Sequence, residues 1–218
     1  MNTLTIRYDH IKRIVNDIYI RLNIIQLPIN IIEIISSFPN IKMVSYHQFM
    51  TDHNLTKEET FEMLTSNEGC TDYFKQLDRY IIYYNDLDFK SDTRIRWTLT
   101  HELGHILCGH YSKDTKIFSK DLTEVEYKFK ESEANYFTGL LLSNLIILDK
   151  LKICSSYDIE IYCDLSSEAA KYRFDAYKKW CKHKITTSSD RYILRNFENY
   201  LNTKQLEYKE FISFMNSF

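Results

Sequence analysis

The chain has 218 residues with 44% apolar side chains, enough to bury a core of its own. Lys plus Arg number 28 against 30 for Asp plus Glu, and no polybasic run stands out, so direct nucleic-acid binding is not expected. No apolar run has the length of a membrane span or a secretory leader, and the five cysteines form no Cys-x-x-Cys pair, so a cytoplasmic protein with free thiols and no membrane partner is expected.

Only four Gly and two Pro punctuate the chain, which favours helices. Asp9 stands ahead of Ile11, Ile14, Ile18 and Leu22, whose spacing predicts a first amphipathic helix. A second helix is predicted over 28–38, stopped before Pro39, and a short strand over Ile41 to Tyr46. Thr56 and Glu59 form a capping box ahead of Phe61, Met63 and Leu64, with Gly69 expected to close that helix. Tyr80 to Tyr84, YIIYY, is the strongest strand signal. It lies about ten residues before the helix of 94–108 and is expected to offer an edge to an extended substrate. Further helices are predicted over 127–148 and 166–180, with two more within 188–215.

The helix of 94–108 carries WTLTHELGHILCGH. His101 and His105 are one turn apart, with Cβ atoms about 5 to 6 Å from each other, so one metal ion can reach both. Catalytic zinc takes three protein ligands and keeps a position open, where Glu102 is placed to act as general base. The third ligand must come from elsewhere, and Cys108, His110, Glu124, Glu126, Glu131 and Glu133 are all close in sequence. His110 falls outside the register of a third histidine in the HExxHxxGxxH pattern and reads as a helix-end or surface residue. Glu131 shares a helix face with Asn135, which could fix the tautomer of a zinc-bound imidazole, so Glu131 is the favoured ligand. Glu133 points to the other face and reads as solvated.

At these residues the chain resembles the ImmA/IrrE family of metallopeptidases, which pairs a helix reading TLAHELGH with a later glutamate helix of the form ExEANxFAxxLL. The matching segments are Thr98 to His105 and Glu131 to Leu142, together with YIIYYND before the motif helix and, more weakly, LPINIIEI and SSEAAKYR. Thr138, Gly139 and Ser143 depart from the usual pattern, and the resemblance spans roughly residues 27–180 and does not extend to the stretch after Trp180. The resemblance implies an α+β fold: a mostly helical, zincin-like metallopeptidase with a small β-sheet beside the active-site helix. It also implies a zinc cofactor and one specific cut in a helix-turn-helix repressor, derepressing a mobile element or a stress response. The expected organisation is a peptidase core over 1–152 and a helical C-terminal region over 153–218 packed on it.

Two other classes compete. A non-catalytic antirepressor or toxin–antitoxin component would use zinc structurally, but a site closed by four ligands has no use for Glu102. A DNA-binding regulator would use Arg173, Lys178, Lys179 and Lys182, yet Glu168 and Asp175 share that helix and make it read as a solvated face. Arg173, His47, His53 and Tyr136 are candidates for stabilising an oxyanion, which sequence does not rank.

Overall fold

Three strands and eleven helices are found in the computed structural model among the residues it describes, 5–87, 90–111 and 123–217. Residues 112–122, the polar stretch ahead of the glutamate helix, lie outside them. The result is an α+β architecture, mostly helical, of zincin-like type, with one small sheet.

Helix α1 (Tyr8–Arg21) is followed by α2 (Ile31–Ser36), whose first N–H groups at Ile32 and Glu33 are accepted by the Asn30 side chain. Strand β1 (Ile41–Ser45) leads into α3 (Tyr46–His53), and α4 (Lys57–Leu64) begins at the expected box, with Thr56 and Glu59 satisfying each other's backbone N–H. Gly69 does not close α4. Thr65 ends it in the left-handed conformation, and Gly69 opens β2 (Gly69–Phe74), a strand that its Cys-Thr-Asp sequence does not announce. Strand β3 (Arg79–Tyr84) follows a short 3-10 turn.

The order in the sheet is β1, β3, β2, and this overturns the expectation of a free edge at Tyr80 to Tyr84. Ile82 pairs with Met43 of parallel β1 on one side and with Thr71 of antiparallel β2 on the other. The reason is burial: a run of Ile and Tyr on both faces suits a strand with neighbours on both sides. On one side of the sheet Tyr46, Phe49, Leu64, Cys70 and Tyr83 form a buried cluster.

Helix α5 (Asp92–Leu107) is capped by Ser91 and packs on β2 and β3. It ends as the sequence requires, with Gly109 at φ 72°, a left-handed position that costs glycine nothing. Helix α6 (Glu124–Leu142) carries the glutamate motif. The single helix predicted over 127–148 is broken, because Asn144 accepts the N–H of Ile146 and starts α7 (Leu145–Lys150). Then come α8 (Ser156–Cys163), which the sequence reading missed, and α9 (Ser167–Cys181), α10 (Ser188–Asn196) and α11 (Glu198–Met215).

The chain divides into two compact units, one of residues 1–12 and 30–138, the other of residues 13–29 and 139–218. In the first, α5 and α6 carry the candidate site. The second has its own core around Tyr19, Leu141, Ile147 and Phe197, and the Tyr19 hydroxyl donates to the Leu141 carbonyl at 2.7 Å. Among the described residues no helix is long and apolar enough to cross a membrane.

Candidate metal centre

Close approach of α5 and α6 brings the donor atoms together. Gly104 lies between the two motif histidines, and a Cβ there would stand 2.9 Å from Phe137 Cδ1 and 3.3 Å from the Ala134 carbonyl oxygen. Any side chain at 104 would hold α6 away, so glycine at that step of the motif sets how near the glutamate helix can come.

His101 Nε2 and His105 Nε2 are 3.0 Å apart, and Glu131 reaches both, with Oε2 3.2 Å from His101 Nε2 and Oε1 3.2 Å from His105 Nε2. Among the described residues these three form the one His/Cys/Asp/Glu group with metal-ligand geometry. Cys108, His110, Glu124, Glu126 and Glu133 are not in it. The spacing tests the fit: donors at about 2.0 to 2.1 Å from an ion, at tetrahedral angles, lie roughly 3.3 Å from one another. The observed separations match that set, and two imidazole nitrogens with one carboxylate oxygen suit a borderline divalent metal.

Their electrostatics agree. Burial disfavours the charged form of Glu131, but hydrogen bonds and charge from His101 and His105 outweigh it and hold the carboxylate well below its usual range. His105 is pushed down by burial, against the pull of Glu131. Burial also lowers His101, yet Glu131 and Glu102 overcome it and raise the net value. Asn135 Oδ1 lies 3.1 Å from His101 Nδ1 and accepts its proton, leaving the Nε2 lone pair to face the group.

Glu102 is buried beside the three donors and takes no part in their cluster. Its Oε2 accepts from the Thr71 hydroxyl of β2 at 2.8 Å, with the Tyr111 hydroxyl at 3.4 Å. Burial raises its pKa, opposed by the nearby His101 charge and the Thr71 hydrogen bond. Sequence reasoning missed Thr71 and Tyr111. No motif marks a threonine some 30 residues upstream, and only pairing β2 with β3 places it under α5.

His110 does stand at the end of α5, but its reading as a surface residue and that of Glu133 as solvated both fail. His110 is only 3% exposed and Glu133 is 0% exposed, so neither is a surface or solvated group. Gly109 turns the chain back, so that His110 Nδ1 meets His105 Nδ1 at 2.9 Å and His110 Nε2 meets Glu133 Oε2 at 3.0 Å. Burial drives His110 down to about 4. Burial opposes ionisation of Glu133 too, but Arg7 and His110 bring it down to about 2. The helical wheel correctly put Glu133 on another face from Asn135, but that face meets Arg7 and His110 rather than water.

Of the remaining candidates, Arg173 belongs to the second unit, where it donates to Ser143 Oγ at 2.7 Å and to the Ser143 carbonyl at 2.9 Å. His53 packs against Phe49, the His47 backbone N–H donates to Asp86, and Tyr136 meets the ring of Tyr8 edge-on.

A mostly helical α+β domain with a His-Glu-x-x-His helix facing a glutamate helix defines a zincin-like metallopeptidase class. The chain belongs to the peptidase M78 family, described as the IrrE N-terminal-like domain, which matches residues 52–175 and so takes in both helices of the site. No curated protein matches the chain closely enough to stand as a relative.

Proposed function

We propose that this protein is a zinc-dependent endopeptidase that makes a specific cut in a helix-turn-helix repressor in the cytoplasm. His101, His105 and Glu131 are the metal ligands and Glu102 is the general base. The observation that carries the catalytic reading is the position of Glu102. Three donors converge, while this fourth group, a second carboxylate, is turned aside onto two hydroxyls instead of completing a closed structural site.

Bound zinc supplies Lewis acidity, polarising the scissile carbonyl and making water a competent nucleophile near neutral pH. The chain's own residues do the rest. Asn135 keeps the His101 proton on Nδ1, and Glu131 stays ionised between the two imidazoles. Thr71 and Tyr111 hold Oε2 of Glu102, which leaves Oε1 to take the proton of the attacking water and later pass it to the leaving amine. Burial that raises the Glu102 pKa brings this base nearer the working pH.

Family membership supports a protein substrate, and the repressor is the narrower reading that the resemblance implies. Incubating the zinc-loaded protein with a helix-turn-helix repressor encoded beside its gene tests it, with mass spectrometry of the products. One new pair of fragments, absent with Glu102→Gln, is the expected result. Binding of the repressor without cleavage by either form would overturn the enzyme in favour of an antirepressor.

A further inference from the structure

We propose that His110, held by Glu133 and Arg7, is a positioning residue that fixes the tautomer of His105 and so presents the His105 Nε2 lone pair to the metal. The inference rests on the proposed metal-ligand role of His105 and goes beyond it to residues outside the donor set.

The argument is an accounting of protons. Glu133 is buried, and its Oε1 accepts from the Arg7 backbone N–H at 2.8 Å and from Arg7 Nε at 3.0 Å. Its Oε2 accepts from Arg7 Nη2 and faces His110 Nε2 at 3.0 Å. A carboxylate with three N–H groups aimed at it is ionised and can only accept, so His110 Nε2 must carry a proton. Across the ring, His110 Nδ1 meets His105 Nδ1 at 2.9 Å, a distance at which one nitrogen donates and the other accepts.

Two arrangements satisfy that contact. If His110 Nδ1 donated, the ring would be either a buried cation or a neutral tautomer whose Nε2 lone pair points at the Glu133 carboxylate. In both, His105 would carry its proton on Nε2, where the metal must bind. In the other arrangement His110 is neutral with its proton on Nε2, its Nδ1 accepts, and His105 Nδ1 donates. Each contact along His105, His110 and Glu133 then pairs one proton with one lone pair, and His105 Nε2 is left to face Glu131 and His101, where the metal would bind.

Arg7 also donates through Nη2 to the Cys108 carbonyl at 2.8 Å, and the Lys130 ammonium donates to the His110 carbonyl at 3.0 Å. These bonds hold the segment that carries His110 and keep its ring in line. His105 therefore has a support of the same kind that Asn135 gives His101, extended by one imidazole to a buried carboxylate. Such partners raise the basicity of the ligand and commonly change metal affinity by roughly 10 to 100-fold.

The first test needs no substitution. In the metal-free full-length protein, nitrogen-15 shifts of the His105 ring are expected to show Nδ1 protonated, and a ring whose Nδ1 is bare would overturn the proposal. Next, zinc affinity is measured by competition with a chromogenic chelator. His110→Phe, which fills the space without a hydrogen bond, is expected to weaken binding by roughly 10 to 100-fold. His110→Asn, whose side-chain oxygen can accept from His105 Nδ1, is expected to recover most of that loss. Wild-type affinity in a folded His110→Phe protein, or equal loss in the Asn and Phe variants, would reject the positioning role. Failure of the unsubstituted protein to bind zinc at all would instead remove the metal-site reading, which the tautomer measurement distinguishes.

Discussion

The Thr71 hydroxyl donates to Glu102 Oε2 across 2.8 Å, joining the second strand of the sheet to the motif helix. Both residues are buried, so the bond is not shared with bulk water. Hydrogen bonds to charged groups contribute about 1.5 to 3 kcal/mol. Thr71→Val keeps the shape and removes the donor. Cleavage is expected to fall roughly tenfold to a hundredfold at unchanged zinc content; an unaltered rate would show that Glu102 is positioned without it.

Glu102→Gln separates chemistry from scaffold. The amide fills the same space and can still meet the Thr71 hydroxyl, but it cannot take a proton. Zinc stoichiometry should stay near one per chain while cleavage drops by about two to four orders of magnitude. Metal analysis and a single-turnover assay on the same sample check both halves.

Removing a ligand should remove the metal. His101→Ala, His105→Ala and Glu131→Ala are each expected to lose most bound zinc, because each deletes one of three converging donors. Asn135→Ala deletes only the acceptor for His101 Nδ1 and should weaken binding by roughly 10 to 100-fold without abolishing it. Isothermal titration distinguishes the two grades of loss, and an Asn135→Ala protein as deficient as Glu131→Ala would contradict this ordering.

Gly104→Ala opposes two effects of known size. Alanine favours a helix interior over glycine by about 0.8 to 1.0 kcal/mol. Against this, its Cβ would meet the buried Phe137 ring at 2.9 Å, and overpacking of that kind costs about 1 to 3 kcal/mol. The clash should win, lowering the melting temperature, and it should also lower zinc affinity, because Glu131 rides on the displaced helix.

Proline at Ile82 tests the sheet. This residue is 0% exposed and lies in the strand paired on both sides, so Ile82→Pro removes a donor from an interior ladder. Loss of the folded state is expected, seen as a collapsed thermal transition. A stable but inactive Ile82→Pro protein would restore the edge-strand reading.

The sequence alone determined what periodicity and local chemistry encode. The spacing of the two motif histidines and the pairing of Glu131 with Asn135 on one face follow from 3.6 residues per turn, while the Thr56 box follows from side-chain capping and the left-handed Gly109 from its missing Cβ. Contacts between segments far apart in the chain were decided only by the tertiary structure. Thr71 meets Glu102 because β2 pairs with β3, and Arg7 reaches Glu133 from 126 residues away. His110 was legible as a helix-end residue but not as a buried one, and Glu133 looked solvated because a helical wheel shows which face a residue occupies, not what covers that face. Burial of those two groups, and the interior place of β3, depend on how elements pack, and packing is a property of the whole unit rather than of any short window.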